Sequence, residues 1–190
     1  MPDPYRVYSA DECGKDGYPW AWHGIGVGSG SGVKDLVRHE AGGRCVRCHH
    51  PYAQGAGEWS PCDARCKHHG PLRCLVSATP QRAGAIEAQW RILTVHHLRL
   101  GADAKRDLRW WNLAALCQRC HLQIQGKVQM ERIWPWPHSE WFRPYAAGWY
   151  AFAYLGEDLT REQTMARLDE LLALELVQGL SAMPDATRVP

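Results

Sequence analysis

Two Cys-x-x-Cys pairs, Cys45/Cys48 and Cys117/Cys120, stand far apart in a chain of 190 residues. Each is a knuckle, a tight turn that lets two thiolates reach one tetrahedral ion, and two knuckles together complete a four-cysteine zinc set. Any fold this chain adopts must bring the two places together. Four thiolates leave no open coordination position, so an ion held there staples the fold and chemistry has to lie elsewhere.

The use of the other cysteines depends on the compartment. No stretch approaches the roughly 20 apolar residues that span a bilayer, and the start, MPDPYRVYSADECG, lacks the basic-then-apolar pattern of a signal peptide. These features predict a cytoplasmic protein, where eight cysteines serve as thiolate ligands in preference to disulfides. Apolar residues at 45% suit one packed main domain with appendages. Charge is uneven: 18 Lys+Arg face 12 Asp+Glu over 1–137, against 4 and 8 over 138–190. A basic excess this thin permits a nucleic-acid partner without demanding one.

Residues 1–32 end in HGIGVGSGSG, whose glycines and serines predict an N-terminal extension or tether. The main domain is expected over 33–137. It opens with a short helix at Val33–Glu40, Ser31 as its N-cap and Leu36 and Val37 facing inward. An irregular insertion over 51–90 comes after the first knuckle and holds Cys62, Cys66, His68, His69 and Cys74. Cys62, Cys66, His68 and Cys74 have a spacing that offers a second zinc site, which would order a loop that has no apolar core of its own. The competing reading is reduced cysteines and solvated histidines, and Cys13 shows that the chain tolerates a lone thiol.

Arg91–Leu98 is rich in β-branched residues and reads as a strand that delivers His96 and His97 at its end, on opposite faces. After a charged loop comes an apolar run, 110–116, in which Trp110 and Trp111 are assigned to packing. The second knuckle leads into a helix at His121–Gln125 that stops at Gly126. A C-terminal helical extension is expected over 138–190. Pro144 suits a first turn and Gly156 a C-terminal cap, with Trp149, Tyr150, Phe152 and Tyr154 between them. Thr160 and Gln163 form a capping box, and Met165, Leu168, Leu172 and Leu176 mark one stripe running to Gly179. That last helix either packs on the domain or pairs two chains as a homodimer.

Chemistry can gather at His96, His97, Asn112 and His121, because the cysteine clamp fixes Cys120 and holds its neighbour His121 beside the strand that bears the histidine pair. Separately, each of these residues has a plain structural explanation; together they form a pattern. C-x2-C … HH … N … C-x2-C-H, written here as CVRC, TVHHL and WWNLAALCQRCHLQIQ, resembles the HNH endonuclease family. The resemblance runs from Arg44 to about Gln125, outside the segment 51–90, and is similar to stand-alone HNH proteins of bacteriophages.

The resemblance implies an α+β fold, a ββα-metal core stapled by a four-cysteine zinc with C-terminal helices. It implies a phosphodiester hydrolase acting on DNA, in the host cytoplasm if phage-encoded, with 5′-phosphate and 3′-hydroxyl products. By the same resemblance His97 is the general base, Asn112 orients it, and His96 and His121 hold one catalytic divalent cation, commonly Mg2+ or Mn2+. Related sequences place an acidic, asparagine-rich turn after the histidines; here the turn is RLGADAKRDLR, which either grips phosphate through Arg99, Lys105, Arg106 and Arg109 or is solvated. The reading from another class is a non-catalytic zinc module that binds nucleic acid or protein.

Overall fold

The computed structural model of the chain describes residues 3–24, 32–52, 63–67, 93–99, 101–125, 128, 130 and 139–177. It is a mixed structure of short helices around a two-stranded antiparallel sheet. Cys62, His68 and Cys74, the helix stops expected at Gly126 and Gly179, and most of the insertion lie outside the described residues.

Strand β1 is Thr94–His97, flanked by Leu93 and Leu98, both fully buried. It pairs with β2, Leu113–Leu116, in a register that sets His96 opposite Ala114 and His97 opposite Leu113. All four β2 side chains are buried, which explains an apolar run with no alternation.

Helix α1, Val33–Glu40, forms as expected, but its N-cap is Gly32 in place of Ser31. A Cβ at Gly32 would strike the Trp22 carbonyl, so only glycine lets the chain pass there. The Gly32 amide donates instead to the Asp35 carboxylate at 3.3 Å. Val33 and Val37 face the core while Leu36 is only half-buried.

Helix α2, Gln118–Ile124, begins three residues earlier than the histidine pattern suggests. The Cys117 sulfur is its N-cap and accepts from the Cys120 amide at 3.4 Å. The knuckle and the helix start are one feature.

Residues 3–24, read from sequence as part of a tether, are docked on the domain. The Tyr8 amide donates to the Arg106 carbonyl and the Leu108 amide to the Arg6 carbonyl, both at 3.0 Å, and Tyr8 and Ala21 enter the core. The glycine-serine run that suggested a tether starts only at the end of this docked segment.

Helix α3, Arg143–Tyr150, carries Pro144 in its first turn and continues as a π-helical turn, Ala151–Leu155, to Gly156 in the left-handed conformation. Its aromatic face packs on the tryptophan pair: Trp111 and Trp149 rings lie 5.3 Å apart, Trp111 and Phe152 5.7 Å. The assignment of Trp110 and Trp111 to packing holds, since both are buried.

The capping box at Thr160 is present, with Gln163 N to Thr160 Oγ1 at 3.2 Å and Thr160 N to Gln163 Oε1 at 2.8 Å. One continuous helix is not. It divides into α4, Arg161–Ala166, and α5, Leu168–Val177, at Arg167, whose φ of −115° and ψ of 19° leave the helical range. Of the expected stripe, Leu168 and Leu172 are half-buried against the core, but the fully buried positions are Thr164 and Leu171, and Met165 is exposed. Leu171 packs against Ala147 and Ala151, so α5 covers α3 of its own chain. Among the described residues no helix is long and apolar enough to cross a membrane.

Gly148 lets α3 lie close against the core, since a Cβ there would lie 2.7 Å from Trp111 Cβ and 2.9 Å from Trp110 Cζ2. Gly148→Ala should therefore lower stability by about 1–3 kcal/mol through overpacking, despite alanine's better helix propensity. A urea titration checks this; a stabilised variant would mean that the helix can retreat.

Candidate functional site

The four knuckle sulfurs lie within 4.8 Å of one another, and all four residues are buried. Cys48 Sγ and Cys117 Sγ are 3.7 Å apart. Zinc–sulfur bonds of about 2.3 Å make the edge of a tetrahedron about 3.8 Å, so this spacing suits one cation between them. Hydrogen bonds push two of the thiols above their ordinary range, chiefly from Cys117 onto Cys48 and from Cys120 onto Cys117. A cation is what would let all four ionise together.

Backbone bonds bring the knuckles to this meeting. The Val46 amide donates to the Ala115 carbonyl at 2.9 Å, which fastens the first knuckle to β2, and His49 closes its turn with a φ of 61°. The Cys48 carbonyl accepts from the Lys67 amide at 2.6 Å, and Arg44 pairs with Asp63 at 2.5 Å. Segment 63–67 is thereby held beside the clamp. Of the proposed second set only Cys66 is described; its sulfur lies 3.7 Å from Nδ1 of the buried His50. His50 comes two residues after the first knuckle, and no spacing rule links it to Cys66.

His96 and His121 come together, their ring centroids 4.6 Å apart, because α2 starts at the knuckle and carries His121 directly after the buried Cys120. His121 Nδ1 is buried with no hydrogen-bond partner. A buried, unpartnered imidazole nitrogen in a ring packed against a second imidazole suits cation binding by this pair. Burial first, then the neighbouring imidazoles His121 and His97, lower the His96 pKa to about 4, and burial lowers that of His121. Both are neutral at pH 7, the form that ligates.

His97 faces the other way, as strand alternation requires. Its ring meets Trp22 and Tyr18 of the docked N-terminal segment, and burial holds its pKa at about 4. Neither aromatic residue is distinguishable from core in the sequence.

Asn112 is fully buried, and its carboxamide serves the backbone of the loop after the histidine pair. Oδ1 accepts from the Arg99 amide at 2.7 Å, while Nδ2 donates to the carbonyls of Asp107 at 2.7 Å and Ala104 at 3.4 Å. The same loop is braced from within by Asp107. Its carboxylate accepts from Arg109 Nε and Nη2 at 2.9 and 2.7 Å and from Arg99 Nη1 at 2.8 Å. Burial alone would raise the Asp107 pKa, yet the two guanidinium groups hold it below the usual carboxylate value.

For two of the four cations, Arg99 and Arg109, this network corrects the expectation of a phosphate-gripping loop. Arg109 is 3% exposed, clamped over the Phe152 ring at 3.7 Å, and its charge is spent on Asp107. Arg99 turns inward to the same carboxylate and lies over Trp149 at 5.4 Å. Lys105 donates to the Asp16 carbonyl at 3.2 Å, and Arg106 pairs with Asp103. Sequence alone did not show Arg99 and Arg109 as internal, because the aromatic platform meets them only in the fold.

The site is thus that of a protein in which a sulfur-lined clamp holds a histidine-bearing strand against a helix. Comparison with known families points the same way: residues 62–127 match the model described as HNH endonuclease. The match takes in His96, His97, Asn112, Cys117, Cys120 and His121, whereas Cys45, Cys48 and the docked N-terminal segment precede it. No curated protein and no solved structure matches the chain.

Asp107→Ala would leave Arg109 buried without its counter-ion. A loss of about 3–5 kcal/mol is expected from stranding such a charge. Denaturant unfolding at neutral pH measures it, and a loss below about 1 kcal/mol, the range of solvated surface pairs, would show that the network carries little of the loop's stability.

Proposed function

We propose that this protein is a divalent-cation-dependent endonuclease that hydrolyses DNA phosphodiester bonds, with His97 as general base. The observation that carries the reading is the approach of His96 and His121, with a buried unpartnered nitrogen on His121, inside the segment that matches the HNH family.

The four cysteines would hold zinc, since soft thiolates in a closed tetrahedral set favour it and leave no position for water. Its contribution is the fold. His96 and His121 would hold the second cation, Mg2+ or Mn2+ by the family's habit. When bound, that ion supplies stabilisation of the negative charge that develops on the phosphate and the departing oxygen.

The protein's own groups do the rest. Neutral His97 takes a proton from a water molecule as its oxygen attacks phosphorus; the bond to the 3′ oxygen breaks, and that oxygen takes a proton from solvent. The products are a 5′-phosphate and a 3′-hydroxyl. Asn112 keeps the loop after His97 in one shape through its three backbone bonds, so the base sits at a fixed place relative to the cation pair. Lys105 and Arg106, on the outer side of that loop, remain the cations that can meet a DNA backbone.

A plasmid-nicking assay with Mg2+ or Mn2+ tests this. Cleavage should fall by about 10²- to 10⁴-fold in His97→Ala, the usual worth of a positioned base, while the melting temperature stays near that of the parent. Cleavage at the parental rate without His97 would reject the assignment. No cleavage with either ion would favour a non-catalytic zinc-stabilised binding module.

A further inference from the structure

The docked N-terminal segment reaches His97 through two side chains that precede the family match. The Trp22 ring lies 5.1 Å from the His97 ring at an interplanar angle of 42°, and the Tyr18 ring lies 5.8 Å away at 51°. Trp22 and Tyr18 stack on each other at 5.2 Å and 18°. His97 Nε2 is buried and has no hydrogen-bond partner.

This aromatic pair is built into place. A helical turn at Trp20–His23 ends on Gly24 at a φ of 88°, and the Trp22 carbonyl abuts Gly32 so closely that no side chain fits there. Asp16 pairs with His23 at 2.9 Å. Lys105, from the loop after β1, places its ammonium 4.8 Å from the Tyr18 ring centre and donates to the Asp16 carbonyl. The segment is therefore clipped both to α1 and to the loop that Asn112 and Asp107 shape.

A general base needs its ring and tautomer fixed, which an acceptor on the second nitrogen commonly does. Here no acceptor meets the buried Nε2, and two aromatic rings pack against the imidazole instead. The face of an aromatic ring carries negative charge, so it attracts an N–H and repels a nitrogen lone pair. We propose that Trp22 and Tyr18 are positioning residues for His97: their rings fix the imidazole and keep its proton on Nε2, which leaves Nδ1 to accept the proton of the attacking water. The role in cleavage rests on the nuclease reading given above; the tautomer does not, and it can be observed without turnover. The working unit then begins near Tyr18, well before the segment that matches the family.

Heteronuclear NMR of the histidine side-chain nitrogens in the full zinc-loaded chain reads the tautomer. The parent should show His97 protonated on Nε2. Trp22→Leu, which keeps apolar bulk and removes the ring, should show a mixture. In plasmid cleavage the same variant should lose about 10- to 100-fold in kcat with KM nearly unchanged, the cost of a slightly misplaced group, and Trp22→Phe should recover most of it. A parental tautomer and parental kcat in Trp22→Leu would overturn the proposal. So would a loss confined to KM, or equal losses in the leucine and phenylalanine variants, since bulk alone would then explain them. If Trp22→Leu does not fold, Tyr18→Leu against Tyr18→Phe supplies the same comparison. A parent that cleaves no DNA, or cleaves without His97, defeats the nuclease reading, while the tautomer measurement still decides whether the rings set the imidazole.

Discussion

Four sulfurs from two distant knuckles must share one small volume, and the way the chain meets that demand shapes the rest of this structure. The first knuckle reaches β2 through Val46 and Ala115, and the second is the N-terminus of α2. Closing the cluster therefore fixes three things at once: the strand pair, the helix after it, and the position of His121 one residue beyond Cys120. Each strand is only four residues long, so a local tether of this kind adds what a larger sheet draws from its own pairing.

A second constraint acts on the loop between the strands. Asp107 gathers Arg99 and Arg109, and Asn112 bonds the backbone on both arms of the same turn. The two guanidinium groups lie over Trp149 and Phe152, so the C-terminal helical segment supports the loop from outside. The loop also receives the N-terminal segment through Tyr8, Leu108 and Lys105. Its charges are internal mortar, and the aromatic rings it draws in end against His97.

Features encoded by short spacings were legible in the sequence. The knuckles, the histidine pair at a strand end, the Thr160 capping box and the roles of Pro144 and Gly156 each depend on residues within a few positions of one another. What depended on distant contacts was not legible. Arg109 reads as a solvated cation until Phe152 and Asp107 are beside it. Trp22 and Tyr18 stand just before a glycine-serine run, so the local composition suggested a tether where residues 3–24 dock. The leucine periodicity after Thr160 continues through Arg167 without a sequence break, yet the helix breaks there and presents Leu171 to Ala147 and Ala151. Cys66 meets His50, a residue outside its own motif.

The claim on which all of this stands is that Cys45, Cys48, Cys117 and Cys120 close around a single zinc. Element-specific mass spectrometry of the purified full chain, parent against Cys120→Ala, addresses it directly. The account predicts that the variant holds one zinc fewer per chain than the parent. An unchanged zinc count, or a parent that folds with no zinc at all, would contradict it.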